Sequence, residues 1–360
     1  MRARERGPGR SVAILYVTDQ GASLAKRGNQ LVVLKQGKII QAIHAFKVEQ
    51  VAIMGNISIT PSAITFLLEE GIDTVFLSYH GKYKGRLVSQ QGKNIELRRK
   101  QFQRVDDPKF RFAAAKEFVR GKLTNCRVVL RRQNQTAHDP DVIATLSRIR
   151  RFASQLEECT SHEQIMGIEG IGAAAYFGCY GRFIRSQDIT FTARNRRPPK
   201  DPVNVLLSLG YTLLANAIHT QVNIVGLDPY LGCLHSTEYG RPSLVLDLME
   251  EFRPVLVDAL VLYAINRGVI QTKHFFRPEE REPAAFDFAE TEPLRDEYPI
   301  VLTHEGMKRF VTLFEERLNA RVLYEPSGKR LMYRGVLLEQ VRRFAALVTD
   351  DSPYRCFIMR

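Results

Sequence analysis

No apolar run in the 360 residues approaches the length that a bilayer-spanning helix requires, so the sequence offers no transmembrane span. The first ten residues, Met1 to Arg10, are basic but lack the apolar core of a signal peptide, and polar residues with Gly and Pro follow. They read as a disordered extension, and the expectation is a cytoplasmic protein with no membrane partner. Cysteine is sparse: five residues, odd in number and never spaced C-x-x-C, which argues against a zinc ribbon or a disulfide framework. They are expected to be reduced, mostly buried thiols. Cys233, two residues before His235, is read as packing rather than ligation. Neither a Walker loop nor a dinucleotide fingerprint occurs in the first ninety or so residues. Acids are short relative to bases, 39 against 52, which leaves a net charge of +13 and a pI near 9.6. A protein this basic without a membrane helix most often meets nucleic acid.

The length suffices for two ordinary domains, and 44% apolar with 25% charged residues is a globular composition. Residues 11 to about 92 read as β-rich. Ser11–Val17, Ser23–Lys26, Leu31–Lys35, Ile39–Ala45 and Val48–Met54 are expected strands, with turns at Arg27-Gly28-Asn29 and Gln36-Gly37. Thr60 caps a short helix that has Pro61 at its first position, and Asp73–Ser78 and Tyr83–Val88 return as strands around His80-Gly81. The expected unit is a small β-sandwich or split barrel with one short helix, a dimerisation or docking platform. From about residue 93 the hydrophobic period becomes helical, and residues 93–360 are expected to form an all-α domain. The fold class is therefore α+β.

The basic residues are not spread evenly. Ile95–Arg104, Lys109–Arg132 and Asp141–Glu158 are amphipathic, and twelve Lys and Arg between Arg98 and Arg132 form either a solvated face or a phosphate-binding track. The loop FTARNRRPPKDPV, residues 191–203, concentrates Arg194, Arg196, Arg197 and Lys200 among prolines. Asp201 and Pro202 then open an apolar helix to Val225, central by its composition. Residues 274–298, rich in proline and acid, read as a mobile excursion. Two amphipathic helices, Thr303–Asn319 and Lys329–Leu347, are expected after it.

The chemistry concentrates between Gly226 and Pro254. His235 lies in a turn-rich segment, and a Gly-Arg-Pro-Ser break starts a helix that carries Asp247 and Glu250, three residues apart and hence on one face. An imidazole beside two carboxylates suits Mn²⁺ or Mg²⁺ better than a closed structural zinc site. Both acids sit in an otherwise apolar helix, where a buried carboxylate needs a partner. Glu169, alone in the small-residue segment IMGIEGIGAAAYF, is read either as a third ligand or as an ordinary acid of a helix N-terminus.

IEGIGAAAYF, RNRRPPKDPVNVLLSLGYTLL and GLDPYLGCLHSTEYGRPSLVLDLMEEFRPVLVDALVL, in this order, resemble CRISPR-associated protein 1, the integrase of spacer acquisition. The resemblance covers nearly the whole chain from about Ser11. It implies a β domain followed by a helical catalytic domain, a homodimer, and association with CRISPR-associated protein 2. It also implies a metal-dependent DNA endonuclease and integrase, joining 3′-hydroxyl ends of spacer DNA to the CRISPR repeat. The family's metal ligands fall on Glu169, His235 and Glu250, the last being aspartate in some members, while Asp247 matches an acid beside the site. Arg194, Arg197, Lys200 and Arg241 are the expected phosphate contacts. The rival readings are a hydrolytic repair nuclease on branched DNA and a DNA-binding scaffold without catalysis.

Overall fold

The computed structural model describes residues 13–79, 81, 83–87, 94–195, 198–236, 238–277 and 299–360, and the chain divides into two compact units, 1–91 and 92–360. The expected basic extension, Arg196, Arg197 and most of 274–298 lie outside the described residues.

The first unit holds two four-stranded sheets. One is ordered β1 (Ala13–Val17), β5 (Val48–Met54), β7 (Asp73–Leu77) and β8 (Tyr83–Leu87), parallel except for its last pair. The other is ordered β4 (Lys38–His44), β3 (Gln30–Lys35), β2 (Ser23–Arg27) and β6 (Ser58–Ile59). Leu15, Val17 and Val51 from the first sheet share a core with Leu24, Leu31 and Val33 from the second and with Phe66 and Leu67 of helix α1 (Pro61–Glu69). As its sequence requires, α1 starts at Thr60, whose hydroxyl accepts the Ala63 N–H, with Pro61 at the position where a missing N–H costs nothing. The β2–β3 turn places Gly28 at φ 58°, the left-handed conformation that a two-residue hairpin needs. The two-residue β6 carried no readable alternation and was not expected.

The second unit is helical: α2 (Ile95–Asp106), α3 (Pro108–Gln133), α4 (Pro140–Gln155), α5 (His162–Tyr180), α6 (Pro202–Val225), α7 (Ser243–Glu250), α8 (Ala259–Asn266), α9 (His304–Asn319) and α10 (Tyr333–Asp350). It is not all-α, however. β9 (Phe275–Phe276) pairs with β10 (Val301–Leu302), and β11 (Arg321–Tyr324) forms a hairpin with β12 (Lys329–Met332). The expected helix from Lys329 therefore begins only at Tyr333, because Gly328 in the left-handed region turns the chain back into a strand pair. Likewise His274 to Phe276 begin the acidic segment in ordered structure, not as an excursion.

α6 is central, as its composition demands: Leu206, Leu207, Leu213, Leu214, Ile218 and Val222 are all buried. Asp201 accepts the Asn204 N–H at its start, and Gly226 ends it at φ 94°. Pro254 marks a break after α7. Arg253–Asp258 forms a π-helical stretch before α8 resumes regular geometry.

Candidate active site

The His235 loop is held from beneath. Gln101 on α2 donates to the carbonyls of Asp228 (2.9 Å) and Leu231 (3.0 Å) and accepts the Asp228 N–H (2.7 Å). The fully buried Asp247 carboxylate then receives three successive backbone N–H groups, from Cys233, Leu234 and His235, at 2.5, 2.9 and 2.9 Å. Gly232 permits this approach, since a Cβ there would meet Asp247 Oδ2 at 2.6 Å. The same carboxylate lies 2.7 Å from His235 Nδ1. A carboxylate acceptor assigns the ring proton to Nδ1, so Nε2 keeps its lone pair. That nitrogen faces Glu250 Oε1 at 3.9 Å.

Glu250, the last residue of α7, is almost fully buried. Its Oε1 is 3.1 Å from Arg253 Nε, and its Oε2 is 2.7 Å from Lys122 Nζ on α3. Neither approach is aligned as a hydrogen bond, so the buried Oε2 and the Arg253 Nε are both left without a hydrogen-bond partner. Lys122 donates instead to Glu169 at the middle of α5. Burial works against a charged Glu250, but the adjacent Arg253 and Lys122 outweigh it and bring the carboxyl down to about 2. Burial likewise opposes a charged Lys122, and Glu250 and Glu169 more than compensate, raising it above the ordinary lysine value.

Two of the expected ligands, His235 and Glu250, thus stand side by side, and Glu169 joins them through a shared lysine. Among the described residues no group of three or more His, Cys, Asp or Glu side chains stands together so that it could hold a metal ion, and Lys122 lies between Glu169 and Glu250. The donor set nevertheless fits a hard divalent cation. Glu250 offers a buried oxygen without a proper donor, His235 offers an Nε2 lone pair whose ring is oriented from behind, and Glu169 offers a second carboxylate. Asp247 spends its oxygens on the loop backbone and the imidazole ring, so it positions His235.

Glu169 lies eight residues into α5, which Ser161 caps, and so is not an acid of the first turn. Cys233 packs fully buried, and burial with the nearby Asp247 pushes its thiol well above the usual range. All five cysteines are free thiols. Arg194 turns inward, donating to Asn204 Oδ1 (2.7 Å) and Ser208 Oγ (3.3 Å). Arg241 pairs with Glu238 at 2.8 Å near the surface, and Lys200 is exposed. No helix is long and apolar enough to cross a membrane among the described residues.

Sequence reasoning missed Lys122 and Arg253. For Lys122 the signal existed: Phe118, Val119, Leu123 and Cys126 define the buried face of α3, and position 122 falls on it. For Arg253 there was none, because its direction depends on the π-helical stretch.

Residues 15–316 match the family described as CRISPR associated protein Cas1. The chain is 35% identical over 355 residues to "CRISPR-associated endonuclease Cas1 3" of Thermus thermophilus, covering 98% of this chain and 99% of that protein. It is 34% identical to a Cas4/Cas1 exonuclease–endonuclease fusion of Geobacter sulfurreducens, across 96% of this chain and 60% of the fusion. Among solved structures, a chain of a Cas6-RT-Cas1–Cas2 complex superposes with TM-score 0.80 at 26% identity, covering 96% of this chain and 36% of that one. A CAS1 protein from Thermotoga maritima shares the fold with TM-score 0.76 at 23% identity, across 94% of this chain and 97% of that one.

Proposed function

The chain belongs to the CRISPR-associated Cas1 family, and from that premise we propose that it is the metal-dependent DNA integrase and endonuclease of CRISPR adaptation. It joins the 3′-hydroxyl ends of spacer DNA to the CRISPR repeat and cleaves DNA phosphodiesters. The observation that carries this reading is the meeting of His235, Glu250, Glu169 and Lys122 from four separate parts of the chain.

Glu169, His235 and Glu250 would hold a single Mg²⁺ or Mn²⁺. A cation so bound supplies polarisation of the scissile phosphate and a lowered barrier for an attacking hydroxyl. The remaining work belongs to the protein. Asp247 keeps the proton of His235 on Nδ1 and the ring in place. Lys122 and Arg253 add two positive charges beside the carboxylates, where a phosphate would otherwise be repelled. Water as attacker gives cleavage and a DNA 3′-hydroxyl gives joining, so the outcome is decided by how the DNA is held. The basic surface of α2 and α3 with Lys200, Arg197, Arg241 and Arg194 is the proposed track for it. DNA, a second copy of the chain and Cas2 are the proposed partners. What supports self-association is the outward side of β4 and its turn, where Ile39, Ile40 and Phe46 stand exposed. In a cell the reaction belongs to the cytoplasm.

The test is a short duplex with free 3′-hydroxyls incubated with a supercoiled repeat plasmid, the chain and Cas2. Joining that requires Mn²⁺ or Mg²⁺ is expected. Cleavage of branched DNA without joining would indicate a repair nuclease, and retention without reaction a scaffold.

A further inference from the structure

We infer, on the functional reading just given, that Asp258 is a positioning residue for the phosphodiester chemistry, acting through Tyr211 to fix Arg253 beside Glu250. The backbone supplies the first observation. After α7 ends, the chain passes through the π-helical stretch Arg253–Asp258, and wider turns of this kind recur where side chains must be re-aimed. Its two ends carry opposite charges, and both engage Tyr211 of α6.

The tyrosine hydroxyl donates to Asp258 Oδ1 at 2.6 Å. The guanidinium of Arg253 lies 4.8 Å from the centroid of the same ring, and that of Arg194 lies 5.5 Å away. Arg253 Nε then stands 3.1 Å from Glu250 Oε1. The anchor is held as well, because Tyr180 donates to the backbone carbonyl of Asp258 at 2.7 Å. A long, rotatable arginine gains a defined direction when its plane rests on an aromatic face. Tyr211 can provide that face only while its own tilt is set, and Asp258 sets it.

The arrangement borders a cavity of about 380 Å³ lined by Lys122, Phe177, Arg194, Tyr211, Arg253 and Asp258. Lys122 and Arg253 of that wall are the two cations that touch Glu250. A buried carboxylate is an expensive way to fill space. Burial pushes Asp258 up to about 6, although Tyr211 and Tyr176 and the charges of Arg253 and Arg194 pull it down. An apolar residue would pack without that cost, but it would leave the Tyr211 hydroxyl with no acceptor.

The experiment measures joining and cleavage by the full chain for Tyr211→Phe, Asp258→Ala, Asp258→Asn, Arg253→Lys and the Tyr211→Phe/Arg253→Lys pair. Tyr211→Phe and Asp258→Ala should lower kcat by roughly ten- to a hundredfold while KM for DNA stays within about twofold. Asp258→Asn should recover most of the rate, since its amide oxygen still accepts the hydroxyl. In the Arg253→Lys background, Tyr211→Phe should cost nothing further, because both changes act on one group. Wild-type kcat in Tyr211→Phe, a raised KM at unchanged kcat, or losses that multiply in the pair would overturn the inference. Should Asp258→Ala not fold, Tyr211→Phe decides alone. An unmutated chain that neither joins nor cuts DNA would remove the functional reading itself. An active chain indifferent to Tyr211→Phe would remove only this inference.

Discussion

Lys122 Nζ stands 2.7 Å from Glu250 Oε2 while also donating to Glu169, so one ammonium ties together carboxylates brought by α5 and α7. Lys122→Met would leave those two carboxylates, both largely withdrawn from water, with one cation fewer. Breaking a buried ion pair from one side costs about 3 kcal/mol. Melting in chelator should therefore show a loss of that order, and added Mn²⁺ should recover part of it, since a bound cation replaces the missing charge. A variant as stable as the parent in chelator would mean that the lysine does not hold the site together.

Asp247 carries the orientation of His235, and its effect should appear in metal affinity before it appears in DNA binding. Asp247→Asn retains the shape but places an amide against four donors. Mn²⁺ affinity measured by calorimetry should fall roughly ten- to a hundredfold, the usual loss for a group that orients a ligand. DNA retention in a gel should stay close to that of the parent. Unchanged Mn²⁺ affinity would show that the imidazole needs no such support.

The proximity of His235, Asp247 and Glu250 was legible in the sequence, and what was not legible was a matter of side-chain direction. His235 and Glu250 declared themselves by polar residue type within an apolar, turn-bounded stretch, and Asp247 by its three-residue offset from Glu250. The caps at Thr60 and Asp201 followed from local chemistry and sit as expected. In the sequence Lys122 is one of twelve bases that read as a solvated face or a phosphate-binding track, and only the helical period of its apolar neighbours carries it inward. Asp258 and Tyr211 could not be paired by spacing, since a π-helical stretch shifts every side chain after it off the regular register. The β11–β12 hairpin was missed because strands of four residues are too short for alternation to stand out.

Glu251, next to Glu250, faces the opposite way. Its oxygens accept the Phe357 N–H at 2.6 Å, the Tyr354 hydroxyl at 2.9 Å and Gln340 Nε2 at 3.0 Å. Burial outweighs these bonds and pushes its carboxyl up to about 8. The folded chain therefore keeps a proton that the unfolded chain releases near 4.5, and stability should fall as pH rises from about 5 to 8, by up to ~1.4 kcal/mol per unit. Urea melts in chelator at pH 5.5, 7 and 8.5 should show the decline, and Glu251→Gln should flatten it. A slope that Glu251→Gln leaves intact would assign the proton elsewhere.

The proposed site puts one cation between residues from distant parts of the chain, and its binding can be read without any turnover. Mn²⁺ titrated into the full chain and followed by electron paramagnetic resonance should report one tight site. Glu169→Ala, His235→Ala and Glu250→Ala should each abolish that site, and with it joining and cleavage, while DNA is still bound. Parental Mn²⁺ binding by any one of the three would contradict the shared site and release that residue from it.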